Sequence, residues 1–206
     1  MSVPDRRERE FRRREEDILA AALALLSRDE WRSVTIERIA AKAEIGKGTV
    51  YKHFASKDEI CARLVVEFHR RVMAEIRAVD PTKPPPAVVG ETMTAFWRAH
   101  AREPERRRLA RRCRRKGFRR GITDKASREL AELDAELASL LSAALERGVR
   151  EGHFLDKPAG SLMIGLYATL IGLMELEGGE RARPHPPSDR IYEETRDFAL
   201  RAISRR

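Results

Sequence analysis

Lys47, Gly48, Thr49, Tyr51, Lys52, His53 and Lys57 fall within a few turns of chain, in a stretch rich in hydrogen-bond donors and poor in apolar anchors. Ammonium, hydroxyl and imidazole groups set this close together suit phosphate. Bond-making chemistry finds no support. The five histidines are scattered, and no His/Cys/carboxylate set has metal-ligand spacing. No glycine-rich phosphate loop or nucleophile elbow is present. The chemistry expected is non-covalent recognition, with no enzyme activity, no cofactor and no metal.

Two short helices must position these groups. Thr35 is a good N-cap, and Ile36, Ile39, Ala40 and Ala43 give the first helix one apolar face. Glu44, Ile45 and Gly46 form the break. The second helix runs from Lys47 to about Phe54, where Val50 and Phe54 are four apart and can face inward. A helix so short, with few anchors and many donors, is built to present a surface. The geometry matches a helix-turn-helix, whose second helix enters the major groove.

The rest of the chain reads as all-α. A first helix is expected over 11–28, with Ile18, Ala21, Ala22, Leu25 and Leu26 at helical spacing, after a charged and frayed start. Trp31 and Val34 should plug the small core. A fourth helix starts at Ser56, with Glu59 completing a capping box and Ile60, Leu64, Phe68, Val72 and Ile76 as its stripe. It reaches about Ala78 and links an N-terminal domain (1–58) to a second helical domain (59–206). The prolines of 80–86 make a stiff break. Further helices are expected over 87–102, to about 116, over 124–151 with Gly152 as its stop, and over 158–177 and 188–204. The total is about nine.

The block 35–57 resembles the DNA-binding signature of TetR-family transcriptional repressors. The residues that carry the likeness are Thr35, Ile39-Ala40, Lys47-Gly48-Thr49, Val50, Tyr51, Lys52-His53-Phe54 and Ser56-Lys57-Asp58. Glu44 stands where the family has Gly in the turn, and Gly46 where it often has Ser. A non-Gly residue in a left-handed turn costs ~1 kcal/mol, and Gly remains an acceptable N-cap.

The resemblance implies double-stranded DNA as partner, in the form of a palindromic operator. Lys47, Thr49, Tyr51, Lys52 and His53 would approach it, with Gly48 allowing close approach and Lys57 and Thr35 reaching phosphate. It implies a homodimer through the last two helices, one with a small-residue strip of Gly165, Ala168 and Gly172, the other with Ile191, Thr195, Phe198 and Ala202 on one face; an intramolecular core is the alternative use of these faces. It also implies a small-molecule effector of unknown identity. Its pocket would draw on Phe96, Trp97, His100, Cys113, Phe118, Leu137, Leu141 and Tyr167, with His100 and Tyr167 as buried polar tips needing a partner.

Composition bounds these expectations. The net charge is +9, which invites a polyanion. Residues 1–78 hold 17 Lys/Arg against 14 Asp/Glu, whereas 98–120 hold 12 against 2. The basic excess therefore lies outside the helix-turn-helix. An alternative follows from it: a non-specific architectural DNA binder that uses the Arg-rich 98–120 segment. Two cysteines in helical patterns, Cys61 and Cys113, suit a reducing cytosol. The N-terminus has no apolar h-region, and the most apolar stretch, 161–176, is too short for a membrane span. A cytoplasmic protein without a membrane partner is expected.

Overall fold

The computed structural model describes residues 6–113, 124–178 and 188–205. Among them are nine helices: α1 (Arg6–Leu26), α2 (Ile36–Lys42), α3 (Lys47–His53), α4 (Lys57–Arg77), α5 (Pro85–Arg102), α6 (Pro104–Cys113), α7 (Asp124–Arg150), α8 (Ala159–Gly178) and α9 (Ser188–Ile203). No strand occurs among the described residues; a lone antiparallel bridge joins Phe154 to Ser204. The chain forms two compact units. One holds the described residues up to His69 and from Glu103 to Leu130; the other holds Arg70–Arg102 and Ala131 onward.

In the first unit α1 buries Ile18, Leu19, Ala21, Ala22 and Leu26. It starts at Arg6, five residues before the expected Phe11, because its charged start is internally paired. Arg6 meets Glu10 at 3.2 Å and Arg12 meets Glu8 at 2.7 Å, both one helical turn apart. The charged stretch is thus helical from Arg6, with its side chains in solvent. Val34 is fully buried, as expected, but Trp31 is only half-buried.

α4 follows the sequence closely. Ser56 Oγ accepts from Glu59 N at 3.1 Å, and the Glu59 carboxylate accepts from Ala55 N at 2.7 Å, one residue earlier than the usual capping box. Its whole stripe, Ile60, Leu64, Phe68, Val72 and Ile76, is buried.

In the second unit α5 begins at Pro85, two residues before the expected start, since proline is preorganised for a first helical turn. The preceding loop is pinned twice. Asp80 Oδ1 accepts from Thr82 N at 2.9 Å and from its hydroxyl at 2.7 Å, and Arg147 donates to the carbonyls of Pro81 and Lys83. α7 ends at Arg150, and Gly152 follows with a left-handed φ of 78°. Gly148 lies so close to the buried Phe154 ring that a Cβ there would come within 2.2 Å of it. The apolar residues of α7 are only partly covered. Ala144 and Leu145 are buried, Leu137 and Leu141 half-buried, and Leu140 exposed. α8 packs on α9, and α9 on α5.

Glu44 has a φ of 56°, the left-handed turn expected between α2 and α3. Glu44→Gly is therefore expected to raise the unfolding free energy by about 1 kcal/mol, seen as a Tm increase of about 2–4 °C. A lower Tm would mean that Glu44 makes contacts worth more than its backbone strain.

Candidate nucleic-acid interface

The α2–turn–α3 block is held by local chemistry. Thr35 caps α2, its hydroxyl oxygen accepting from Arg38 N at 3.3 Å. The turn closes through Ile45 N to Ala40 O at 3.0 Å. α3 starts at Gly46, which offers no side-chain cap. Val50 is fully buried within α3 and Phe54 follows as a buried residue at its end, so α3 is fixed from one side only.

The other side carries the expected residues. Lys47, Gly48, Tyr51 and Lys52 are exposed, Thr49 is half-buried, and Thr35 is exposed at the start of α2. A Cβ added to Gly48 would meet no atom within 4 Å. Nothing inside the protein requires glycine there, although glycine disfavours a helix relative to alanine.

His53 and Lys57 are engaged with the protein. His53 stacks on Phe11 of α1, ring centroids 4.0 Å apart, and its Nδ1 is buried without a hydrogen-bond partner. Lys57 Nζ donates to Trp31 O at 2.7 Å and Val34 O at 2.8 Å, and lies 4.4 Å from the Trp31 ring centroid. This ammonium ties the start of α4 to the α1–α2 connection.

Sequence reasoning missed one residue of the face. Glu37, in the first turn of α2, forms an ion pair with Lys47 in the first turn of α3. Lys47 also sits 5.7 Å from the centroid of the Tyr51 ring. The bond from Lys47 is the largest of the effects that hold the Glu37 carboxyl at about 2; its own backbone amide and the Thr35 hydroxyl add to it. In turn Glu37 raises the Lys47 ammonium above its ordinary value. The depressed carboxyl contributes its stabilisation above the ordinary carboxylate range and loses it as pH falls through about 2. The raised ammonium contributes in full below its ordinary 10.5 and loses its share only above that. Both partners are thus charged throughout the neutral range. A spacing of ten residues across a turn has no helical period to reveal it; the signal was an acid and a base opening consecutive helices.

The basic α6 lies in the same unit and packs on α1. Its Arg108 and Arg111 are exposed, while Arg106 pairs with Glu103 at 2.8 Å and reaches Glu67 at 4.0 Å. The rest of the Arg-rich run, with Phe118, lies outside the described residues.

The expected pocket residues are distributed unevenly. Cys113 is buried in the first unit. In the second, His100 is buried, its Nδ1 2.8 Å from Phe96 O and its ring 4.1 Å from that of Phe96. Trp97 is buried and stacks on Tyr192 at 5.0 Å, its indole N–H without a partner. Leu137 and Leu141 are half-buried. Tyr167 keeps 38% of its surface exposed, so its tip is not the buried one expected. On α8 and α9, Gly165, Ala168, Gly172, Phe198 and Ala202 are exposed, with Ile191 and Thr195 half-buried.

Fold and site define an all-helical protein with an N-terminal helix-turn-helix. Residues 18–64 match the family described as bacterial regulatory proteins, tetR family. An uncharacterized HTH-type transcriptional regulator of Mycobacterium tuberculosis is 30% identical over 88 residues, which span 43% of this chain and 40% of that protein. The match therefore covers less than half of the relative's length. Similarity of fold extends further. A tetR-family regulatory protein from Rhodococcus RHA1 superposes with a TM-score of 0.77 at 20% identity, covering 94% of this chain and 98% of that one. The ketosteroid transcriptional regulator of Mycobacterium tuberculosis gives 0.73 at 20% identity, covering 94% and 96%. The fatty acid degradation regulator of Bacillus halodurans gives 0.71 at 14%, covering 91% and 94%.

Proposed function

We propose that this chain is a cytoplasmic, homodimeric, sequence-specific DNA-binding transcriptional regulator, a repressor released from a palindromic operator by a small-molecule effector. The observation that carries the reading is the outward face of α3. Lys47, Gly48, Tyr51 and Lys52 are exposed on a seven-residue helix whose own single buried residue is Val50. Such a helix contributes little to the core and gains its purpose from what it meets, here the edges and phosphates of a major groove.

Two half-sites about one helical turn of DNA apart need two such heads. The apolar outward face of α8, with its small residues, and the exposed Phe198 and Ala202 on α9 support a twofold partner. For the effector, the second unit offers His100 against the Phe96 ring and the unpartnered Trp97 N–H. These suit a largely apolar skeleton with a hydrogen-bond acceptor. The fold-level likeness to regulators described for ketosteroids and fatty acid degradation agrees with that class. Effector and operator affinities are then coupled reciprocally, typically by about 1–3 kcal/mol.

The test is selection of duplexes from a random pool, followed by affinity measurements across salt. The expected outcome is enrichment of a near-palindrome. Lys52→Ala should weaken binding to all duplexes and lower the slope of log K against log salt by about 0.9 per subunit. Thr49→Ala should relax preference at one base position by about 1–3 kcal/mol. Equal affinity for every duplex at matched salt would overturn the proposal.

A further inference from the structure

We infer that Glu37 is a specificity-determining residue of this DNA-reading face: it holds the Lys47 ammonium away from phosphate and so suppresses binding to non-cognate duplexes. The inference rests on the DNA-binding reading above and adds a residue to it.

The geometry sets Glu37, exposed in the first turn of α2, against Lys47 of α3. Its carboxylate pairs with Lys47, whose ammonium lies 5.7 Å from the Tyr51 ring centroid. Two residues of the expected contact surface, Lys47 and through it Tyr51, are thereby tied to one acid. Both partners of the pair are more than half exposed, at 51% for Lys47 and 58% for Glu37. Exposed pairs contribute little to folding stability, so a structural purpose for this one is weak. Its effect on an approaching polyanion is larger. A paired Lys47 carries no net charge into the encounter, and the carboxylate repels any phosphate that comes near.

Non-specific binding draws almost wholly on phosphate contacts and the counterions they release. Glu37 withholds one cation from that term. A guanine edge offers the ammonium two acceptors, O6 and N7, at a fixed place, and so competes better for it than a single phosphate oxygen. Lys47 then leaves Glu37 for the right base more readily than for backbone. The acid lowers affinity everywhere, and lowers it most where the sequence is wrong.

The experiment compares wild type, Glu37→Gln, Lys47→Ala and the double variant. Each is titrated across salt with a 30-base-pair duplex of scrambled sequence and with a duplex selected by the wild type. Glu37→Gln is expected to bind the scrambled duplex severalfold tighter, with a salt slope steeper by about 0.9 per subunit. Its gain on the selected duplex should be smaller, so the specificity ratio falls. In the Lys47→Ala background the same change should leave the slope unaltered. Unchanged urea midpoints for the exposed Glu37→Gln exclude a folding effect. An unaltered slope for Glu37→Gln overturns the inference, as does an equal gain with and without Lys47, which would be bulk charge alone. A wild type that enriches no sequence overturns the regulator reading instead; the scrambled-duplex comparison still reads Glu37.

Discussion

The wild type is expected to sediment as a dimer and Phe198→Glu as a monomer that loses at least about two orders of magnitude in operator affinity. Phe198 leaves 68% of its surface in solvent, as does Ile164 on the neighbouring α8. Glycine and alanine at 165, 168, 172 and 202 are exposed on the same two helices. A large apolar group of this exposure adds nothing to the core of its own chain, and a group of them marks an interaction surface.

The magnitude follows from symmetry. Burying a phenylalanine side chain is worth about 1.5–3 kcal/mol, and a twofold interface counts each side chain twice. Losing both is worth about 4 kcal/mol, roughly a thousandfold in the dimer dissociation constant. Burying two carboxylates in their place adds to this. A monomer engages one half-site at a time, so operator affinity falls with the dimer. The fold itself should persist, because position 198 touches little of its own subunit; far-UV circular dichroism checks that. A variant that still sediments as a dimer would place the interface elsewhere.

How far the sequence revealed this molecule depended on the range of the interaction. Local signals were legible. Thr35 and Ser56 cap helices because a hydroxyl three residues before a free N–H is a short-range arrangement. Glu44 was expected to be left-handed through the resemblance, since it stands where the family has Gly, and its φ is 56°. The stripe of α4 was legible because five apolar residues, each four apart, leave only one face to bury. The misses are tertiary. Lys57 looks like any basic residue opening a helix, yet its ammonium is directed to the carbonyls of Trp31 and Val34, more than twenty residues away. Glu37 looks like a favourable acid in a first turn, and only the folded turn sets it against Lys47. Tyr167 and the leucines of α7 sit at core-like spacing, but periodicity states which face is apolar, not what covers it. The early start of α1 was a local signal overlooked, since its one-turn charge pairs are written in the sequence.

Gly48→Ala is expected to move folding and binding in opposite directions. In the free protein an added Cβ meets nothing within 4 Å, so the substitution creates no clash. Alanine favours a helix over glycine by up to about 1 kcal/mol, and the thermal or urea midpoint should rise. On DNA the same methyl occupies space that a sugar-phosphate or base edge would fill. Forcing an extra methyl into a close-packed contact costs about 1–3 kcal/mol, roughly 5- to 150-fold in affinity for the selected duplex. Few substitutions separate so cleanly. If glycine served the fold, alanine would lower both stability and binding. If this face met nothing, alanine would raise stability and leave DNA affinity untouched. Higher stability with weaker operator binding is the pattern expected only where the space above Gly48 belongs to a partner.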